Sequence, residues 1–260
     1  MDQETYLNNR DKMVVKSNEL IQKSRFSLSV QQQKIVLFLI SQIEMHDEDF
    51  KLYTFSIPEF CKVCGIDEGN GKNYRDLKAA IKEIADKSIW VTLGNGRETL
   101  VRWVEKPYIE AKSGTICIRL DADMKPFLLQ LKENFTKYEL IYTLHFRSKY
   151  AIRLYELVRS IHYRELESYA REFEVDELKR IIDAETHKLY ANFKNRALLP
   201  AIREINEFSD KTVTFEELKK NGGKKVSHIK LTISTKDPTD RLKVRAKIDE
   251  DLGGGQLTIW

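Results

Sequence analysis

A hexapeptide that returns with its chemistry intact is the tightest constraint on how this 260-residue chain can fold. Ala79-Ala80-Ile81-Lys82-Glu83-Ile84 reappears as Pro200-Ala201-Ile202-Arg203-Glu204-Ile205, with a Lys/Arg exchange in the middle. One such match is weak, but others follow in the same order. Phe55-Ser56-Ile57-Pro58-Glu59-Phe60 is mirrored by Phe173-Glu174-Val175-Asp176-Glu177-Leu178, and Val91-Thr92 by Val213-Thr214. The spacing between copies drifts by only a few residues. The series predicts an internal duplication, and therefore two modules of one design.

Hydrophobic periodicity supplies the elements of that design. Ser29-Val30-Gln31-Gln32 is a capping-box pattern, and apolar residues 36, 39, 40 and 43 continue it at helical spacing, predicting a helix from Ser29 to Ile43. Tyr53 to Ile57 alternates as a strand does, and Pro58 suits the first turn of a helix through Val63. After a polar turn, Gly65 to Asn73, a second amphipathic helix is expected over Tyr74–Lys87, with Leu77, Ala80, Ile81 and Ile84 on one face. Strands Ile89–Leu93 and Thr99–Val104 flank the turn Gly94-Asn95-Gly96, a hairpin signature. A strand Thr115–Leu120 and a helix Met124–Leu131 close the first half. In the second half, a helix Ala151–His162 precedes the mirrored strand and a helix through Ile182. A helical stretch ending in the repeated hexapeptide comes next, then a hairpin turning at Asn221-Gly222-Gly223.

Each half thus runs helix, short strand, helix, turn, helix, hairpin. The expected fold is α+β, two tandem winged-helix domains (helix-turn-helix plus a β-hairpin wing) related by internal duplication. Residues 1–135 form the first, 136–236 the second, and 237–260 a flexible C-terminal tail. The third helix of such a unit is slim enough for the roughly 12 Å major groove of duplex DNA, and the wing reaches the neighbouring backbone. Winged helices also serve as protein-interaction modules, so the placement of charge must decide.

Net charge is only +4, which makes placement more informative than total. From Thr186 to Arg203 there is no acidic residue, although Asp and Glu supply 40 of the 260 positions. Lys188, Lys194, Arg196 and Arg203 are basic, with Asn192 and Asn195 among them. Arg bonds guanine bidentately and Asn bonds adenine, while Lys mostly neutralises phosphate. Tyr190 and Phe193 either pack inward or offer a ring to a thymine methyl. Lys219, Lys220, Lys224 and Lys225 flank the second hairpin turn, where four like charges repel unless an anion lies nearby. A solvated basic face is the plain alternative. The first module is more mixed: Lys72, Asn73, Arg75, Lys78 and Lys82 alternate with Asp76 and Glu83, which predicts backbone contacts and a few base contacts. Pro200 is the odd letter. A mid-helix proline costs about 3 kcal/mol, so the second reading helix is expected to kink near Arg196 or to begin late.

Other chemistries are poorly supported. Cys61 and Cys64 have metal-knuckle spacing without a second Cys/His pair, and on a helix they read as small apolar side chains. "IDEGNGKN", residues 66–73, lacks the first glycine and final Ser/Thr of a phosphate loop, and its acids would repel phosphate. The five histidines are scattered, and no paired-carboxylate or Ser/His/Asp constellation is visible. Neither catalysis, nor a cofactor, nor a metal is expected. The longest apolar run, Ile35 to Ile40, is far short of the roughly 20 residues of a membrane span. The polar N-terminus and the three cysteines suit the cytoplasm. Gly253-Gly254-Gly255 precedes Gln256-Leu257-Thr258-Ile259-Trp260. Gln256, Leu257, Ile259 and Trp260 are similar to the short peptide that docks on the bacterial sliding clamp. A frayed or vector-derived end fits as well.

The segments "VVKSNELIQKSRFSLSVQQQKIVLFLISQI" and "YANFKNRALLPAIREIN", set in tandem modules, resemble iteron-binding plasmid replication initiators of the RepB/RepE-like type. The resemblance covers roughly residues 13 to 235. It implies that the Lys/Arg positions of the second motif, Lys194 and Arg196, carry the contacts to the repeats. It implies a monomer that binds direct repeats of double-stranded plasmid origin DNA, helps open an adjacent A+T-rich stretch, and recruits the host initiator and replicative helicase. A homodimer, formed largely through the first module, would repress the protein's own gene. Two helices in successive major grooves correspond to a site of about 20 base pairs. A winged-helix transcriptional regulator without a replication role is the alternative, and its DNA chemistry would be the same.

Overall fold

Two compact units divide the chain between Leu144 and His145. The structure, a computed structural model, describes residues 10–58, 60, 71–93, 95–110, 113–162, 168–220 and 222–253. In the first unit, strand β1 (Met13–Ser17) leads into helix α1 (Asn18–Lys23), whose first turn is capped by Ser17 accepting from the Leu20 amide at 3.2 Å. Strand β2 (Ser24–Arg25) follows, then helix α2 (Val30–Ser41). The capping box is present in full: the Gln32 amide donates to Ser29 Oγ at 3.3 Å and the Ser29 amide to Gln32 Oε1 at 3.0 Å. Residues 32–41 of α2 are all buried, so it is the helix around which this unit packs.

Strand β3 (Tyr53–Ser56) brings Phe55 against Phe38, with ring centroids 4.9 Å apart, and Phe60 joins both. Helix α3 (Gly71–Asp86) begins earlier than the periodicity suggests and buries the expected face, Leu77, Ala80, Ile81 and Ile84. Strands β4 (Ser88–Thr92) and β5 (Glu98–Arg102) make the expected hairpin, with Ile89 opposite Val101, and β2 adds to it as a third strand. An additional hairpin, β6 (Tyr108–Glu110) and β7 (Thr115–Ile118), forms a second three-stranded sheet by pairing β7 with β3. The helix expected over 124–131 is shorter, a 3-10 turn (Ala122–Met124) running into α4 (Lys125–Leu128). Strand β8 (Phe135–Glu139) returns antiparallel to β1, and α5 (Ile141–Leu144) ends the unit. The expected boundary after residue 135 therefore falls too early, because β8 is the hydrogen-bonded partner of β1.

The second unit repeats the plan more economically. Helix α6 (Lys149–Ile161) takes the place of α2, and Glu204 accepts from the Arg147 and Ser148 amides at its start, at 2.9 and 3.1 Å. Strand β9 (Tyr169–Glu174) and helix α7 (Val175–Ile181) precede the reading helix, which comprises α8 (Tyr190–Phe193), a π-helical segment (Lys194–Leu198) and α9 (Leu199–Phe208). One long hairpin, β10 (Lys211–Leu218) and β11 (His228–Thr235), pairs from Lys211–Thr235 out to Leu218–His228 and takes β9 on its other edge. Here a single hairpin is both wing and partner of the early strand. The first unit divides those tasks between β4–β5 and β6–β7.

The expected flexible tail after residue 236 is instead, over most of its length, helix α10 (Pro238–Gly253). Val244 and Ile248 are buried along it. Lys247 bonds Glu207 at 2.5 Å, and its ammonium lies 5.1 Å from the Phe208 ring centroid. Two apolar anchors and one cation over a ring suffice to dock a helix that has little amphipathic signature of its own.

Candidate nucleic-acid interface

The second reading helix has to place its side chains around a proline. In an uninterrupted α-helix, Pro200 would offer no amide to the Arg196 carbonyl and would press its ring against it. The chain avoids the clash by widening one turn: the Leu199 amide donates to the Lys194 carbonyl, five residues back. A regular helix resumes at Leu199 with Pro200 in its first turn, where a proline is tolerated. The helix starts at Tyr190 rather than late, and the irregularity is centred on Arg196.

Around that backbone the side chains sort cleanly. Phe193, Ala197, Leu198, Ala201, Ile202 and Ile205 are buried. Lys188, Ala191, Asn195, Arg196 and Arg203 are exposed, and Tyr190, Asn192 and Lys194 are half-buried. Every candidate contact residue on this helix therefore reaches solvent, and Phe193, left open between two roles, belongs to the core. Glu204, within the repeated hexapeptide, and Asn206, just after it, are scaffold. Glu204 holds α6 as described. Asn206 bridges to the wing, its Oδ1 accepting from the Val213 amide at 2.7 Å and its Nδ2 donating to the Val213 carbonyl at 2.9 Å. The helix end is held further by Lys236, which donates to the Asn206 and Ser209 carbonyls, a cation at the negative end of a helix. Beneath it, Asp210 accepts from Tyr155 at 2.8 Å and from Arg159 at 2.6 Å.

The electrostatics of the exposed face are uneven. Arg196, Arg203 and Lys188 form no ion pair among the described residues. Lys194 does: its ammonium bonds Glu217 of β10 at 2.7 Å and sits 5.8 Å from the Phe215 ring centroid. Tyr190 donates its hydroxyl to the same carboxylate at 2.9 Å. The Lys194 ammonium and then the Tyr190 hydroxyl hold the Glu217 carboxyl below the usual carboxylate range, while burial raises the Tyr190 hydroxyl. At the wing tip Lys219, Lys220, Lys224 and Lys225 are all exposed, beside a turn that needs the positive φ of Gly222. Lys220 is paired with Glu172 of β9 at 2.5 Å, so three of the four lysines there lack an ion pair among the described residues. Neither Glu172 nor Glu217 figured in the sequence reading. For Glu217 a signal existed, since strand alternation from Val213 through Phe215 puts it on the side of the reading helix.

In the first unit Arg75 and Lys78 are exposed on α3, with Asp76 exposed between them. Lys82 pairs with Asp86 along the helix. The side chains of Lys72 and Asn73 lie outside the described residues, as do Cys61, Cys64, residues 66–70 of the glycine-containing turn, and the tail residues Gln256, Leu257, Ile259 and Trp260. Among the described residues no group of His, Cys, Asp or Glu gathers as a metal site, and no helix is long and apolar enough to cross a membrane.

Two winged-helix modules in series, one carrying, beside a lysine-tipped wing, a reading helix whose first half lacks acid, define a class of tandem winged-helix proteins with a cationic helix-and-hairpin surface. The particular family follows from the sequence: the chain belongs to the initiator replication proteins, matching the initiator replication protein WH1 model over residues 13–159 and the initiator Rep protein WH2 model over residues 174–233. The fold is shared with the Pi initiator protein, solved in complex with iteron DNA, at 18% identity and a TM-score of 0.72, covering 88% of this chain and 99% of that one. A WH1 domain of MSBI1.176, a replication protein isolated from a multiple sclerosis patient, aligns over 38% of this chain and 79% of its own at 17% identity. Its TM-score of 0.30 is too low to bear on the fold.

Proposed function

We propose that this chain initiates plasmid replication by binding direct repeats in duplex origin DNA. The observation that carries the reading is the exposed face of the second reading helix, where Asn195 and Arg196 reach solvent with no acid on the helix before Glu204, and Arg203 is exposed further along it. Arg196 and Asn195 read base edges, Lys194 joins them once freed from the wing, and Lys188 and Arg203 meet phosphate. Lys219, Lys220, Lys224 and Lys225 neutralise the backbone alongside. In the first module Arg75 and Lys78, with Lys72 and Asn73, add mainly phosphate contacts, since their helix carries its own counter-charges. The Pi initiator, of the same fold, has been solved on iteron DNA, which supports the assignment.

On this reading the protein works in the bacterial cytoplasm as a monomer in equilibrium with a homodimer. The monomer opens the origin and recruits the host initiator and helicase, and the dimer represses the protein's own gene. The last residues offer a further contact to the sliding clamp. Footprinting on DNA flanking the gene tests the central claim. Protection repeated along direct repeats, each of about 20 base pairs, is expected. A lone protected inverted repeat would point to a regulator, and no protection would refute DNA reading altogether.

A further inference from the structure

Among the described residues Glu217 is the one carboxylate that bonds two members of the candidate reading surface. A negative charge there repels phosphate, so by itself it lowers affinity for any DNA. Its geometry gives that cost a use. We infer that Glu217 is an autoinhibitory contact, a carboxylate that holds Lys194 and Tyr190 on the wing, so that DNA recruiting Lys194 must first break the pair. The inference rests on the DNA-binding reading above.

The contacts are specific. Lys194 Nζ lies 2.7 Å and Tyr190 Oη 2.9 Å from the same carboxylate oxygen, Oε1. Tyr190 begins α8 and Lys194 begins the widened turn, so both ends of the first helical turn are tied to β10. The ammonium also rests near the Phe215 ring, which keeps it along the strand rather than extended outward. The side chains of Lys194 and Glu217 are each 33% exposed. A pair this open to water is weak and exchanges readily. It can therefore be given up when something better is offered.

Two kinds of DNA offer different things. DNA of arbitrary sequence presents phosphates, and its affinity grows with every cation free to neutralise them. Holding the charge of Lys194 on an internal partner removes one such cation from the non-specific account. A matching site also presents guanine O6 and N7, to which a released lysine bonds directly, and that compensates for the broken pair. The cost of breaking the pair therefore falls in full on a duplex that recruits Lys194, and a duplex that leaves the pair intact is spared it.

The test uses the full chain and two duplexes, one enriched from random-sequence DNA by the wild-type protein and one a shuffled sequence of equal composition. Glu217→Gln keeps an acceptor for Tyr190 and removes the charge. The variant should bind the enriched duplex about three- to fivefold more tightly and gain no more than that on the shuffled duplex, where the salt slope should steepen by roughly 0.9 as Lys194 becomes free to meet phosphate. Discrimination then holds or rises. In a Lys194→Ala background the same change should lose most of its effect on the enriched duplex, and thermal unfolding of each variant checks the fold. No tightening on the enriched duplex overturns the inference while leaving DNA binding intact, as does an undiminished effect of Glu217→Gln without Lys194. If the wild-type chain enriches no sequence, the DNA reading itself falls and the inference with it.

Discussion

Ala80, Ile81 and Ile84 of α3 and Ala201, Ile202 and Ile205 of α9 are buried at matching places in the two copies, whereas the residues outside them have diverged. On α3 the outward face alternates in sign, with Arg75, Asp76, Lys78, Lys82, Glu83 and Asp86, and Lys82 is paired within the helix. On the second reading helix no acid appears before Glu204, and the counter-charge for Lys194 is supplied from the wing strand instead. Where α3 has Ala79, α9 has Pro200 and a widened turn before it. The inward face is held by packing, which punishes a lost methylene, while the outward face is free to specialise. A duplicated helix can thus keep its seat and change what it presents.

The largest effect should confirm the shared half of that comparison. Ile84→Ala and Ile205→Ala should each destabilise their own module by about 2–5 kcal/mol, measured by chemical denaturation. A much smaller loss in one module would mean that the two hydrexapeptide copies are not equivalent in the core. Removing Asp210, which sits under the second reading helix with Tyr155 and Arg159, should cost about 1–3 kcal/mol in the same assay because both lose a hydrogen-bond acceptor. The outward faces come next. Arg196→Ala should weaken binding to the preferred duplex by about 1–3 kcal/mol and relax its sequence preference. Arg75→Ala should lose less than half as much, and a reversal of that order would make the first module the reader. Smaller again, Lys224→Ala should lower affinity equally on all sequences and flatten the salt dependence by roughly 0.9 in slope.

The smallest expected effect is on pH. The carboxyls of Glu217 and Glu172 are both lowered from the usual 4.5, by their lysine partners first. A folded-state value below the unfolded one stabilises above the ordinary carboxylate range, and that contribution is lost as pH falls through the lowered value. Amide protection in β10 and β11, taken relative to the intrinsic exchange rate at each pH, should therefore fall below about pH 4.5. Glu217→Gln should remove part of that acid response, and an unchanged profile would show that the carboxylate does not hold the wing.

Local signals were legible where the relevant partners are close in sequence. The capping box at Ser29 and Gln32 forms as written, and the hairpin around Asn95 and Gly96 turns where its glycines and alternation require. The buried stripe of α3 is the one its 3.6-residue period marks. Long-range choices were not. Nothing in Met13–Ser17 announces that it pairs with Phe135–Glu139, because strand pairing has no sequence period linking the two segments. Helix α10 escaped notice since its docking depends on Lys247 meeting Glu207 and Phe208 rather than on an apolar stripe.

The candidate surface divides in the same way. Its cations, its asparagines and its lack of acid between Thr186 and Arg203 can be read from the letters alone, because composition within one helix needs no partner. Which cations are free cannot. Lys194 and Arg196 look interchangeable in sequence, yet the fold brings Glu217 to one and leaves the other in solvent. Pro200 likewise announced an irregular helix, and only packing selected the widened turn at Lys194–Leu198 over a late start. Sequence by itself determined the repeated module, its core-facing residues and the side of it that is basic, since those follow from periodicity and charge along the chain. Tertiary structure decided which charges are spent internally and which remain to meet a ligand, since a Coulombic pair depends on distance in space.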